Sequence, residues 1–264
     1  MEINAIITDL DDTLLNEQGK ISELTLKAVA ECLERGIRVI PASGRAQASM
    51  EPYVRQMNTG LPYIACNGAQ LVNADHSIME SILLSAEISR EVCAYLQAHG
   101  CYVQAYREDY VYYAEECEYS VAYKRSSGLK GEAVGDLLQF ITFESPKLLC
   151  ISEPEKIAWI YPQIQAHFAG RAAFTISKPF YLEVEPLGAN KGAALARLSE
   201  KIDLEPAKTL VFGDSLNDMA MLAFTENSVA MGNARDEVKA AARYVCHTNG
   251  EDGVARFIRE HLLH

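Results

Sequence analysis

The sequence predicts an α/β fold: a doubly wound parallel sheet with a second, α+β module inserted into it. Three observations carry this expectation. Short apolar runs that read as buried strands alternate with helix-period segments and Gly-containing turns at both ends of the 264-residue chain. From residue 84 to residue 186 that alternation gives way to tyrosine-rich and period-2 segments. Three of the strand candidates end in polar residues, Asp9 with Asp11, Ser43, and Asp214. In an open parallel sheet, such ends meet at one crevice.

The elements follow in order. Residues 2–8 read as a buried strand, with Ile3, Ala5, Ile6 and Ile7 in a short run. Ser22 is placed to cap a helix through about Arg35, whose Leu26, Val29 and Leu33 share a face and which Gly36 closes. "IRVIPASGR" (37–45) is a second strand entering a Ser-Gly turn, and the helix after it is expected to break or kink near Pro52. "PYIACNGA" (62–69) is a third strand. In the insert, residues 86–98 read as a helix, "CYVQAY", "DYVYYA", "KLLCIS" and "AAFTIS" as strands, and 154–168 as a second helix. In "FYLEVE" (180–185), Phe180, Leu182 and Val184 alternate with Tyr181, Glu183 and Glu185, the pattern of a strand with one solvated face. The alternation then resumes with a helix over 190–202, the strand "TLVFGDS", the helix "MAMLAF", the strand "SVAMG", the helix "DEVKAAA", the strand "YVC" and a last amphipathic helix bearing Val254, Phe257, Ile258 and Leu262. The core is therefore expected at 1–83 and 187–264, and the insert at 84–186.

Composition narrows the function. A formal net charge of −12, from 24 Lys and Arg against 36 Asp and Glu, lacks the basic footprint of a nucleic-acid binder and is repelled by anionic membranes. An anionic substrate would need local help from a metal, a lysine or backbone N–H groups. The seven cysteines are scattered and contain no C-x-x-C pair, which reads as free thiols in a reducing compartment rather than a disulfide frame or a zinc site. No signal peptide or membrane-length apolar run is visible, so a cytoplasmic location follows by default. Oligomeric state is not legible. The six histidines, His76, His99, His167, His247, His261 and His264, have no ligand spacing and are assigned no chemistry.

Asp9, Asp11 and Asp12 crowd negative charge at the end of an apolar strand. Hard oxygen ligands of this kind suit Mg²⁺, which would offset their mutual repulsion. Taken singly, an aspartate here could merely end a strand, Ser43 could cap a helix, and Asp214, Ser215 and Asp218 could stabilise a helix start. Lys191 by itself would read as a solvated lysine.

Read together, "DLDDT" (9–13), "SGR" (43–45), "NKG" (190–192) and "GDSLND" (213–218) resemble, in order, the four motifs of the haloacid dehalogenase superfamily of phosphotransferases. "NGA" (67–69) and the insert between the second and third motifs are similar to its Cof-type branch. The resemblance spans the whole chain and implies a Rossmann-like core with an inserted cap domain that closes over the sheet edge. It implies Asp9 as nucleophile and Asp11 as the acid/base. The implied Mg²⁺ ligands are the Asp9 carboxylate, the Asp11 carbonyl and the Asp214 carboxylate. The phosphate would be bound by Ser43, the Gly44 and Leu10 amides, Lys191 and Asn217, with Asp218 orienting ligands or waters. Asn67 is either a turn residue or a substrate contact. Relatives often have glycine where this chain has Asp12, whose side chain is expected to turn away from the site.

The implied activity is Mg²⁺-dependent hydrolysis of small phosphate monoesters, sugar phosphates or phosphorylated cofactors, through an aspartyl phosphate. A phosphomutase on the same core is a close alternative. A non-catalytic, Mg²⁺-binding phosphoryl receiver or metabolite sensor is a second, against which Asp11, Ser43 and the insert argue.

Overall fold

A computed structural model describes residues 2–263. Met1 and His264, which bound the core expected from sequence, lie outside the described residues. The chain divides into two units. One holds the residues up to Gly44, Met50–Met79 and the segment from Asn190 onward; the other holds Arg45–Ser49 and Glu80–Ala189.

The first segment runs β1 (Ala5–Thr8), α1 (Glu23–Glu34), β2 (Arg38–Pro41), α2 (Gln47–Met57), β3 (Tyr63–Ala65), β4 (Gln70–Val72) and β5 (Ile78–Ser81). The inserted segment contributes α3 (Ala86–Ala98), β6 (Tyr102–Arg107), β7 (Tyr110–Tyr113), α4 (Glu118–Ser127), β8 (Lys130–Ala133), α5 (Leu137–Phe140), β9 (Leu148–Ile151), α6 (Pro154–His167), β10 (Ala173–Lys178) and β11 (Tyr181–Glu185). The chain ends with α7 (Lys191–Ile202), β12 (Thr209–Gly213), α8 (Met219–Leu222), β13 (Asn227–Ala230), α9 (Asp236–Ala241), β14 (Tyr244–Val245) and α10 (Gly253–His261).

The core sheet has the order β14-β13-β12-β1-β2, and every pair in it is parallel. Its central strands are rich in β-branched and aromatic residues, and Ile6, Ile7, Ile40, Leu210, Val211, Phe212 and Val229 have no exposed surface. Such continuous apolar runs are what a parallel sheet buried on both faces requires. Thr8 is in register with Phe212 on one side and Pro41 on the other, so the chain leaves β1, β2 and β12 at a common edge.

Ser22 caps α1 as expected, its hydroxyl accepting from the Thr25 N–H at 3.0 Å. Other expectations need correction. Pro52 lies inside α2, and the helix continues through it to Met57, so the chain does not break there. Strand β3 meets the core sheet only through the bridge between Ala42 and Ile64, and its ladder is antiparallel, with β4. The helix expected at "MAMLAF" is a single turn, α8.

The inserted unit carries a sheet of order β10-β11-β9-β6-β7-β8, antiparallel except for the β7–β8 pair. One face, including Val103, Ala105, Leu148, Cys150, Leu182 and Val184, packs with Val92, Leu96, Ile157, Ile160 and Ile164 of α3 and α6. The solvated face expected for β11 is not there. Glu183 and Glu185 are buried, and both acids have partners. Lys147 Nζ stands 2.6 Å from Glu183, Ser177 donates to Glu183 at 2.9 Å, and Thr175 donates to Glu185 at 3.1 Å. The tyrosine-rich stretch serves this interior too. Tyr106 donates to the Tyr123 hydroxyl at 2.5 Å and accepts from Gln104 Nε2 at 2.9 Å. All seven cysteines are free thiols, most of them buried. No helix among the described residues is long and apolar enough to cross a membrane.

Candidate active site

The chain turns sharply after β1. Asp11 is extended (φ −71°, ψ 129°) and Asp12 is left-handed (φ 59°). Aspartate tolerates the left-handed region better than most residues with a side chain, which explains how Asp12 fills a position where glycine is the easy choice. Its carbonyl is pinned by the Asn233 side-chain amide at 2.7 Å, and its side chain is exposed, as expected. Asp9 is held level with β12 by its N–H, which donates to the Phe212 carbonyl at 3.1 Å.

Opposite β1, the chain leaves β12 through Gly213 and turns into a short helical segment. Asp218 closes this turn, its Oδ2 accepting from the N–H groups of Asp214 and Ser215, both at 3.0 Å. Gly213 is required by this packing, since a Cβ there would lie 2.6 Å from the Asp218 Cβ. The Asn190 side chain caps α7 by accepting from the Ala193 N–H at 2.8 Å, and so sets Lys191 as the first helical residue.

These ends converge. Lys191 Nζ donates to Asp9 Oδ1 at 2.5 Å and to Asp218 Oδ1 at 2.6 Å, and all three residues are buried. One carboxylate oxygen from each of Asp9, Asp214 and Asp218 falls within 4.8 Å of the others. Thr13 donates to Asp214 Oδ1 at 2.9 Å and fixes that carboxylate. No role was expected for Thr13 from sequence; its place two residues after Asp11 in "DLDDT" was the available signal.

Electrostatics follow from this crowding. Burial pushes the Asp9 carboxyl well above the usual range; Lys191 pulls it back, and Asp218, Asp214 and Asp11 add to the rise. Asp214 is raised to about 7, chiefly by burial and then by Asp218, while Thr13 and Lys191 oppose the shift. Burial works against the Lys191 ammonium, but Asp218 and Asp9 more than offset it, and its pKa stands above the usual lysine value. A buried lysine among several aspartates leaves surplus negative charge on hard oxygen donors, a donor set that fits a divalent cation such as Mg²⁺.

Other residues singled out from sequence lie around this centre. Leu10 and Ser43 are buried, and Ser43 is tied into β3 by its N–H, which donates to the Ile64 carbonyl at 2.9 Å. Asn217 donates through Nδ2 to Asn67 Oδ1 at 2.9 Å, and Gly44 packs on the Asn67 amide. The Asp11 carboxylate is half-buried and stands outside the three-carboxylate group.

Residues 6–258 match the model of the haloacid dehalogenase-like hydrolase family. The 5-amino-6-(5-phospho-D-ribitylamino)uracil phosphatase YcsE of Bacillus subtilis is 28% identical to this chain, over 100% of it and 97% of the relative. The HMP-PP phosphatase of Serratia proteamaculans is 29% identical, over 88% of this chain and 85% of its own. Among solved structures, a haloacid dehalogenase-like hydrolase from Bacteroides thetaiotaomicron superposes with a TM-score of 0.89 at 27% identity, covering 98% of this chain and 99% of that one. With Asp9, Lys191, Asp214 and Asp218 gathered at one edge of a parallel sheet, and with nearly the whole chain matched, the protein belongs to the haloacid dehalogenase-like hydrolases.

Proposed function

We propose that this protein is a Mg²⁺-dependent phosphatase of small phosphate monoesters that works through an aspartyl phosphate on Asp9. The observation that carries the reading is the convergence of Asp9 with Lys191, Asp218 and Asp214 from three separate chain segments. Relatives named as phosphatases of phosphorylated small molecules support the substrate class.

Asp9 is the nucleophile. Its carboxylate attacks the phosphorus, and the bond between phosphorus and the leaving oxygen breaks. The attack needs the ionised form, and Lys191 is the resident group that favours it. Asp11 donates a proton to the leaving oxygen and then takes one from the water that attacks the phosphorus, which releases inorganic phosphate and restores Asp9. Ser43, the Gly44 and Leu10 amides, Lys191 and Asn217 hold the phosphoryl oxygens, where donors fixed in a buried site are worth more than in water. Mg²⁺ would be held by the carboxylates of Asp9 and Asp214 with the Asp11 carbonyl, and would supply Lewis-acid polarisation of the phosphoryl group. Asp218 is assigned an orienting role because its oxygens are already engaged by Lys191 and two N–H groups.

The test is hydrolysis of p-nitrophenyl phosphate by the intact protein. Turnover is expected with Mg²⁺, is abolished by EDTA, and returns when Mg²⁺ is restored in excess. Absence of turnover with Mg²⁺ present would remove the proposal. A panel of phosphorylated sugars and cofactors ranked by kcat/KM then identifies the substrate.

A further inference from the structure

Three consecutive residues after β3, Cys66, Asn67 and Gly68, have φ angles of 51°, 51° and 93°. Only glycine enters that region freely, so two residues with side chains held there in series must be fixed by their surroundings. Their contacts show what fixes them. The Asn67 N–H donates to the Ser43 carbonyl at 3.0 Å. The Asn67 Oδ1 accepts from Asn217 Nδ2 at 2.9 Å. The same amide lies so close over Gly44 that a Cβ there would sit 2.9 Å from Oδ1. On the other side of the turn, the Gly68 carbonyl accepts from the Arg197 guanidinium at 3.0 Å. A Cβ on Gly68 would lie 2.4 Å from the carbonyl oxygen of Asn190, the residue before Lys191. This one turn therefore touches the loops that carry Ser43 and Gly44, Asn217, and Lys191.

We infer that Asn67 is a positioning residue. Its side-chain carbonyl holds the Asn217 amide, and its amide plane braces the Ser43–Gly44 turn, so that both loops meet the phosphoryl group in one geometry. The inference rests on the phosphatase reading above and deepens it. The Asn67 amide oxygen is engaged by Asn217, which favours positioning over direct substrate contact through that atom. Asparagine suits the task because it tolerates positive φ and carries an acceptor on a short stem. Alanine offers no acceptor, and aspartate would add negative charge where phosphate is to bind.

Asn67→Gly isolates the role, since glycine keeps the backbone conformation and removes only the amide. With p-nitrophenyl phosphate and Mg²⁺, kcat/KM is expected to fall by about fivefold or more. In an Asn217→Ala background the same substitution is expected to cost at least about threefold less, because one of the two groups it positions is gone and only the Ser43–Gly44 turn is left to brace. A smaller loss than fivefold, or an equal loss in both backgrounds, overturns the inference; a merely structural residue would give the equal loss. A second readout does not need turnover. The Asn217 side-chain amide, identified in ¹⁵N-resolved NMR spectra by its disappearance in Asn217→Ala, is expected to move in Asn67→Gly, and an unmoved resonance overturns the inference. If the parent protein hydrolyses nothing, the phosphatase proposal fails and this spectrum alone decides the role of Asn67. Should Asn67→Gly not fold, Asn67→Asp reverses the test: it keeps the acceptor, so the Asn217 amide is expected to stay hydrogen-bonded, and a free amide overturns the inference.

Discussion

Lys191 and Lys147 are both almost fully buried and both face carboxylates, yet their surroundings differ in charge balance. Lys191 bridges Asp9 and Asp218, and Asp214 stands within 4.8 Å of both, an excess of acid over base. Lys147 faces Glu183 at 2.6 Å with the Tyr106 ring 4.9 Å from its ammonium, and the other Glu183 oxygen accepts from Ser177. A buried charge is tolerated when it is matched and hydrogen-bonded. The Lys147 pair is matched one to one inside its own sheet, with the second Glu183 oxygen held by Ser177. The Lys191 cluster is not: burial is the main cause of the raised pKa values of Asp9 and Asp214, and the neighbouring aspartates add to the rise. The lesson is that burial of a lysine does not identify a reactive site; an excess of opposing charge gathered at strand ends is the stronger sign.

The largest test of this contrast is Asp9→Asn. Turnover of p-nitrophenyl phosphate is expected to drop by about 10³-fold or more, roughly 4 kcal/mol of barrier, with an unchanged circular dichroism spectrum. Activity within a few-fold of the parent would remove Asp9 as nucleophile.

Next come the two lysines compared directly. Lys191→Met is expected to lower kcat by about 10²-fold or more and also to destabilise the fold, because two buried carboxylates lose their partner. Lys147→Met is expected to cost stability on the order of 3 kcal/mol in urea unfolding, for the same reason at Glu183, while kcat for p-nitrophenyl phosphate stays within about threefold. Equal loss of turnover in both variants would erase the distinction between the two lysines.

A smaller effect is expected at Thr13→Val, which frees the Asp214 carboxylate from its hydroxyl partner at nearly constant volume. The Mg²⁺ concentration for half-maximal activity should rise about tenfold, in line with losses seen when groups that orient metal ligands are removed. An unchanged Mg²⁺ requirement would place the Thr13 contact outside the metal's support. The smallest is Ser22→Ala at the start of α1, where loss of the cap should cost about 1 kcal/mol in unfolding and leave turnover unchanged.

Much of the core was legible because its signals are local. Ile6, Ile7, Val211 and Phe212 announce buried strands, Ser22 announces a helix start, and the Asp9, Ser43, Lys191 and Asp214 motifs each fall at a strand end or helix start. The inserted unit was harder to read. Helix α4, strand β8 and the short α5 were not anticipated there, since tyrosine-rich or mixed segments give no clean period, and the short strands β4 and β5 of the first segment were missed as well. The alternation in "FYLEVE" was real, but its inference of a solvated face failed. Alternation reports which residues share a face, and the partners that made the polar face buriable came from Lys147, just before β9, and from Thr175 and Ser177 of β10.

The sequence by itself determined the order of the strands and helices in the core and the residue types that stand at their ends, because periodicity, caps and turns act over a few neighbouring residues. Only the tertiary structure decided that Lys191 lies between Asp9 and Asp218, that Thr13 fixes Asp214, and that Asn67 reaches both Gly44 and Asn217. Those contacts join residues more than twenty, and up to about two hundred, positions apart in the chain, a proximity that exists only once the parallel sheet has aligned its strand ends.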